Sequence, residues 1–451
     1  MNAAQGMAAV VIPGMVSLAV GCVWWLLPHP VLIVAFGILP FAAWIALKKP
    51  FPVVLGFIVF SFFRIHEVVP ALYPLRIPQL LALGTLFVIA WHVFLSHEIK
   101  TYWCRELSLL TVFFALVTVG MFFATNRGVA ISEWSGVYVK IYIMVLATAW
   151  LLRQQRDFVL ATRLFCMAGL LVGGMALYNK SMGIGLVEGT RVTIGRDIGS
   201  ILGDPNDLAL VLLFPSAFAL AMALEKRLPR WERLIGGVGF AVLLMAVIAT
   251  QSRGGLLGIV SVMGVFSYFR VRSKLILLIG GSLALLILFA VAGINDRASG
   301  GAAEEGIDQS AMGRLYAWGA AWRMALDNPL TGVGLKNFYH NYYFYSDHWD
   351  GLNHAVHSTW FGVLAETGFL GLGVFVLMVG CTLYASIKTL TQHELAELPP
   401  SIAVTVMAIP AGVVGFIVSG TFLTQGFTWP IYLQLALAVA AMRYVLTNSQ
   451  A

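Results

Sequence analysis

Apolar runs of about 17 to 25 residues, parted by short polar breaks, succeed one another along almost the whole chain. They fall at 8–27, 30–47, 51–63, 78–96, 107–124, 133–152, 157–178, 200–224, 233–250, 255–269, 275–294, 357–387, 401–421 and 428–446. The third is short and several are interrupted by Gly or Pro, so the pattern predicts about 12 to 14 crossings of a membrane. Backbone in hydrocarbon must satisfy its own hydrogen bonds, and these runs are too long and too continuous for barrel strands. The expected fold is therefore all-α, a polytopic transmembrane helical bundle. One break differs from the rest: 295–356 is long, polar and rich in aromatic residues. It divides one integral membrane domain into a bundle over 1–294, a loop over 295–356 and C-terminal transmembrane helices over 357–451.

Composition agrees, since 59% hydrophobic and only 11% charged residues exclude the half-exposed helices of a soluble domain. No basic residue precedes the first apolar run, which is expected to be a span and not a cleaved signal peptide. Cys22, Cys104, Cys166 and Cys381 stand singly without metal-like spacing and read as packing residues.

Orientation follows from charge. Lys48 and Lys49, Lys100 and Arg105, Arg153 and Arg156, the Lys226 to Arg233 group, and the Arg270 to Lys274 group occupy alternate loops. The positive-inside rule assigns these loops and both termini to the cytoplasm. They also explain the basic pI of about 9.2, which then carries no implication of nucleic acid.

The remaining loops, expected outside, hold Arg64, Arg76, Arg127, Arg191, Arg196, Arg253, Arg297, Arg314 and Arg323. Cations are disfavoured there by the same rule, so the group suggests a bound anion, for which a planar, permanently charged guanidinium is suited. Headgroup snorkelling is the alternative for any one of them. Arg191 lies in GTRVTIGRD, just before a span, and Arg253 in the short turn TQSRGG. Gly254 and Gly255 would let backbone approach a ligand at a helix start, or simply pack the bundle. Arg314 opens GRLYAWGAAWRMALDNP, whose Leu315, Trp318, Trp322 and Leu326 recur at helical spacing. That predicts an amphipathic helix lying on the membrane surface, ended by Asn328-Pro329. In GDPNDLAL, Asp204, Pro205 and Asp207 read as N-cap, first-turn proline and acidic third position of the next span.

His340, His348, His354 and His357 fall within FYHNYYFYSDHWDGLNHAVHS. His354 and His357 are three apart and could share a helical face for a metal with Asp347 and Asp350, although the spacing matches no zinc motif. The neighbouring Tyr and Trp residues suit an interfacial or sugar-stacking surface, and Tyr339, His340, Trp349 and His354 are candidate contacts to a glycan or acceptor. His357 stands where the polar loop enters a long apolar helix, desolvated yet reachable, as a neutral general base requires. The alternative is a capping or interfacial histidine. Glu366 and Lys140 are ionisable groups inside spans, and the sequence assigns neither a role.

His357-Ser358, then nine residues, then Gly368-Phe369-Leu370-Gly371 resembles the histidine and glycine pattern of the O-antigen ligase family. The long preceding loop, Arg314 in GRLYAW, the segment DNPLTGVGLKNF and the SRGG turn resemble that group too. The likeness covers roughly 200–385 and extends to O-antigen polymerases, protein O-oligosaccharyltransferases and a branch of O-glycosylation ligases associated with exosortase systems.

The resemblance implies a fold related to the GT-C glycosyltransferases, with short helices in a large periplasmic loop, in the bacterial inner membrane. It implies transfer of a glycan from undecaprenyl pyrophosphate to a sugar hydroxyl of lipid A-core, without metal or other cofactor. His357 would be the base or acceptor-orienting group, and Arg191, Arg253 and Arg314 would hold the pyrophosphate. A polymerase using a second lipid-linked glycan, or a transferase acting on protein Ser or Thr, stays open within the group. From another class, a transporter of a small anion would account for the interrupted spans and for Glu366 and Lys140.

Overall fold

A computed structural model describes residues 41–291, 309–349 and 351–448, with Leu18, Gly21, Cys22 and Trp25. The expected span at 8–27, most of that at 30–47, and Arg297 and Asp350 in the loop lie outside or almost wholly outside the described residues. Among those described, ten helices are long and apolar enough to cross a membrane, or eleven if one bent pair is a single span.

That pair is Phe41–Lys48 and α1 (Pro50–Phe62), meeting at 103°. There follow α2 (Ala71–Leu95), α3 (Arg105–Phe123), α4 (Arg127–Leu151), α5 (Gln155–Met182), α6 (Pro205–Leu224) and α7 (Arg230–Ala249). The shorter α8 (Arg253–Tyr268) and α9 (Lys274–Val291) complete the first part. The loop contains α10 (Gln309–Asp327) and α11 (Phe338–Tyr345), and α12 (Thr359–Gln392), α13 (Pro400–Gly420) and α14 (Trp429–Asn448) close the bundle. No strand forms among the described residues, which bears out the all-helical, polytopic expectation.

Helices α6, α13 and α14 are the interior, with most of their residues buried, whereas α9 buries none and presents apolar side chains all round. A helix apolar on every face suits lipid as its surroundings. Small residues let the inner helices approach closely: a Cβ on Gly255 or Gly258 of α8 would stand 2.5 Å and 2.4 Å from Ala209 and Leu213 of α6. Gly254 likewise faces Phe422 and Ser419. The glycines after Arg253 therefore serve helix packing, the alternative to ligand approach raised above.

The amphipathic helix forms and starts earlier than its sequence pattern suggested. It begins at Gln309, before Arg314, and packs onto the bundle: Trp318 stacks on Phe361 with centroids 5.1 Å apart, and Trp322 meets Phe369 edge-on at 5.3 Å. These ring contacts dock the helix against α12, while Leu315, Trp322 and Leu326 remain exposed along its outer side. It ends ahead of Asn328-Pro329, as the sequence predicts.

Candidate active site

His357 precedes α12 by two residues, at φ 46°. Ser358 caps the helix by accepting the Phe361 N–H at 3.5 Å, and Thr359 donates to the Leu423 carbonyl while accepting the Gln425 N–H at 3.1 Å. Gln425 in turn donates to Asp207 on α6. The start of α12 is thereby tied to the α13–α14 loop and to the start of α6. His354 and His357 lie in non-helical chain, so they do not share a helical face as the metal reading required. Among the described residues no three His, Cys, Asp or Glu side chains gather as a metal-ion site.

Arg191 lies on the connection between α5 and α6, just before a span as the sequence suggested, and is buried. A small hairpin carries it: Val187 and Arg191 exchange two backbone hydrogen bonds, and Lys180 and Asn179 at the end of α5 donate to the Thr190 and Thr193 carbonyls. The guanidinium spans two helix junctions, with Nε donating to the Thr250 carbonyl at 3.2 Å and Nη2 to Asn206 Oδ1 at 3.0 Å. Ser252 Oγ donates to the same Asn206 oxygen at 2.9 Å, and Ser252 also caps α8 by accepting the Gly255 N–H. Arg253, the next residue, is the first of α8 and is half-buried. Asp204 caps α6 as predicted, accepting the Asn206 and Asp207 N–H groups at 2.7 Å and 3.3 Å.

These parts meet electrostatically at the imidazole. Burial pushes the His357 pKa below its ordinary value, the Arg314 guanidinium pushes it further, Asp204 opposes, and His354 and Arg191 add smaller depressions. Arg191, Arg314, His354 and Asp204 thus come within electrostatic reach of His357, although they are far apart in sequence. A neutral imidazole beside two guanidinium groups can accept a proton and stabilise an anion in the same place.

The segment 327–338 is locked under this group. Gly368 interrupts α12 with φ 71° and ψ −172°, and Phe369 donates its N–H to the Pro329 carbonyl at 2.8 Å. A Cβ at Gly368 would stand 2.4 Å from that carbonyl oxygen, so the glycine of the histidine and glycine pattern is required by close approach and by positive φ. Glu366, two residues before Gly368, accepts the Lys336 and Phe338 N–H groups at 2.7 Å and 3.4 Å. It organises the loop backbone and, among the described residues, forms no salt bridge, although the Lys336 charge acts on it. Asn337 and Asn341 bind Thr125 and Asn126 between α3 and α4, adding another junction. Lys140 is exposed on α4, so it does not pair inside the bundle among the described residues.

The aromatic candidates are less uniform. His354 is half-buried with its ring edge-on to Tyr342 at 5.4 Å, whereas Tyr339, His340 and Trp349 are exposed. Trp349 packs edge-on to Tyr343 at 4.7 Å, leaving a ring beside open space. Of the other arginines expected outside, Arg323 pairs with Asp347, Arg64 with Glu67, and Arg196 bonds the Gly203 carbonyl. Those three are structural contacts. Sequence reasoning missed Asn206, Ser252, Gln425 and Asn337; only Ser252 carried a signal, as a cap residue just before a helix start.

No curated protein matches the chain. A family model described as O-antigen ligase matches residues 238–376, a stretch that includes Arg253, Arg314, His357, Glu366 and Gly368. The helical bundle makes the chain a multi-pass membrane protein, and the match over 238–376, about a third of its length, supports an O-antigen ligase domain with a glycosyl-transfer function of the ligase and polymerase kind.

Proposed function

We propose that the protein transfers an O-antigen glycan from undecaprenyl pyrophosphate to a sugar hydroxyl of lipid A-core, at the periplasmic face of the bacterial inner membrane. The observation that carries the site is the electrostatic reach of Arg191 and Arg314 to a half-buried imidazole at the mouth of a long apolar helix. In the reaction, the acceptor oxygen attacks the anomeric carbon, the bond from that carbon to the pyrophosphate oxygen breaks, and the hydroxyl proton passes to His357. A single displacement inverts the anomeric configuration. Negative charge grows on the pyrophosphate, where Arg191, Arg253 and Arg314 neutralise it. One preorganised donor of this sort is worth on the order of 10²-fold to 10³-fold, and base assistance about 10²-fold to 10⁴-fold.

His354 acts on His357 electrostatically, and with Tyr339, His340 and Trp349 it would supply ring faces and edges for the glycan or acceptor. The chemistry needs no metal, because guanidinium groups supply the charge that a cation would otherwise provide.

Purified protein reconstituted with defined lipid-linked donor and purified lipid A-core tests the proposal. Transfer is expected with chelator present and is expected to be lost in His357→Ala while helical content and detergent stability are retained. Near wild-type transfer by that variant would remove His357 from the mechanism. Offering a second lipid-linked glycan or a Ser- and Thr-bearing protein in place of lipid A-core separates ligase from polymerase and protein transferase.

A further inference from the structure

A well-formed cavity among the described residues lies away from His357. It lies at the opposite end of the bundle and has a volume of roughly 840 Å³. Helix α5 connects the two regions: its first turn, at Gln155 to Asp157, lines the cavity, and its last turn, at Asn179 and Lys180, supports the Arg191 hairpin. Its 28 residues place the two ends about 42 Å apart.

Five cations face this cavity: Lys48, Lys49, Arg153, Arg156 and Arg163. Its two carboxylates are already engaged. Asp157 accepts the Gln154 N–H at 3.2 Å in a helix cap, and Glu98 stands 3.1 Å from His92 Nδ1. Arg153 is fixed by donation to the Trp150 and Lys100 carbonyls, and Arg163 by Glu232, so part of the positive charge is preorganised. The α1 N-terminus also opens here, at the 103° break after Lys48, with no side chain capping it. Leu47, Phe51, Leu151 and Leu160 line the same wall.

A loop selected only for membrane orientation needs positive charge, not a walled cavity that mixes cations with apolar side chains at a helix break. We propose that this cavity binds the phosphodiester headgroup of an anionic membrane lipid, with the apolar wall taking the first part of its acyl chains. Soluble phosphate would leave that wall unused. Lys49 and Arg156, both exposed, hold the headgroup by charge, and fixed Arg153 orients it.

Full-length protein in neutral detergent is labelled with a photoactivatable phosphatidylglycerol, and the crosslinked peptides are mapped. Labelling is expected over 47–52 and 151–163 and is expected to survive millimolar inorganic phosphate. Lys49→Gln with Arg156→Gln is expected to reduce it by on the order of tenfold, two nearby cations each being worth several-fold toward an anionic lipid. Lys226→Gln with Arg272→Gln, which removes two exposed cations from other loops of the same end, is expected to leave it unchanged. Equal loss in both double variants, equal labelling by a phosphatidylcholine probe, or displacement by inorganic phosphate would each overturn the proposal. Size exclusion and thermal unfolding of both variants separate loss of binding from loss of fold.

Discussion

Arg191 donates to Asn206 across a gap of 15 residues, Nη2 to Oδ1 at 3.0 Å, and Asn206 holds the same oxygen toward Ser252. The guanidinium is thus aimed from behind. Asn206→Ala removes the acceptor and leaves a buried charge with one partner fewer, at a local cost of about 1–3 kcal/mol. The expected outcome is a fall in kcat of about tenfold with little change in KM for the donor, because the arginine is misaligned and not lost. Asn206→Asp, which keeps the oxygen, is expected to recover much of the rate, and steady-state kinetics on reconstituted protein decides.

The pH dependence has a defined sign. A neutral base is lost on protonation, so kcat/KM falls as pH drops through the His357 pKa. Burial first, then Arg314, hold that pKa below the ordinary histidine value, so the acid limb is expected below about 6.5. Arg314→Gln removes one depressing charge and is expected to move the limb to higher pH while lowering the plateau. A profile for this variant that superimposes on wild type after scaling would show that Arg314 does not act on the imidazole.

Gly368→Ala introduces a methyl carbon 2.4 Å from the Pro329 oxygen at a residue with φ 71°. Backbone strain of this kind costs about 1–3 kcal/mol, and either the Phe369–Pro329 hydrogen bond or the helix must yield. Transfer is expected to fall by at least tenfold, with faster proteolysis between residues 327 and 345. Proteolysis at the wild-type rate would mean that the break in α12 does not secure the loop.

Glu366 tests the same dock from the other side. Glu366→Ala leaves the Lys336 and Phe338 N–H groups without their acceptor, each worth about 1–3 kcal/mol when buried. Glu366→Gln keeps one acceptor oxygen and is expected to be milder. The measurement is detergent-phase thermal unfolding beside amide exchange over α11; indistinguishable exchange in wild type and the alanine variant refutes the assignment.

Local pattern made several elements readable. Apolar runs and loop charge predicted a helical membrane bundle, because spanning backbone has few ways to satisfy its hydrogen bonds. The Asp204 cap and the stop at Asn328-Pro329 follow from contacts within a few residues. The His357 to Gly368 spacing resembled a ligase pattern, and the family match over 238–376 bears that out.

What the chain could not disclose alone is which distant groups share a space. Arg191, Asn206 and Ser252 are brought together by three separate junctions, and Asn337 reaches Thr125 across more than 200 residues. Such pairings leave no periodic trace. The same holds for Glu366, whose ionisable side chain inside an apolar run signals importance, while its work in gathering two backbone N–H groups depends on where a remote loop folds back. Sequence determined the solvent, the elements and the residue types that chemistry needs, since those are set by neighbours along the chain. Tertiary structure alone decided which arginines come within electrostatic reach of the imidazole, since burial, distance and charge are properties of packing.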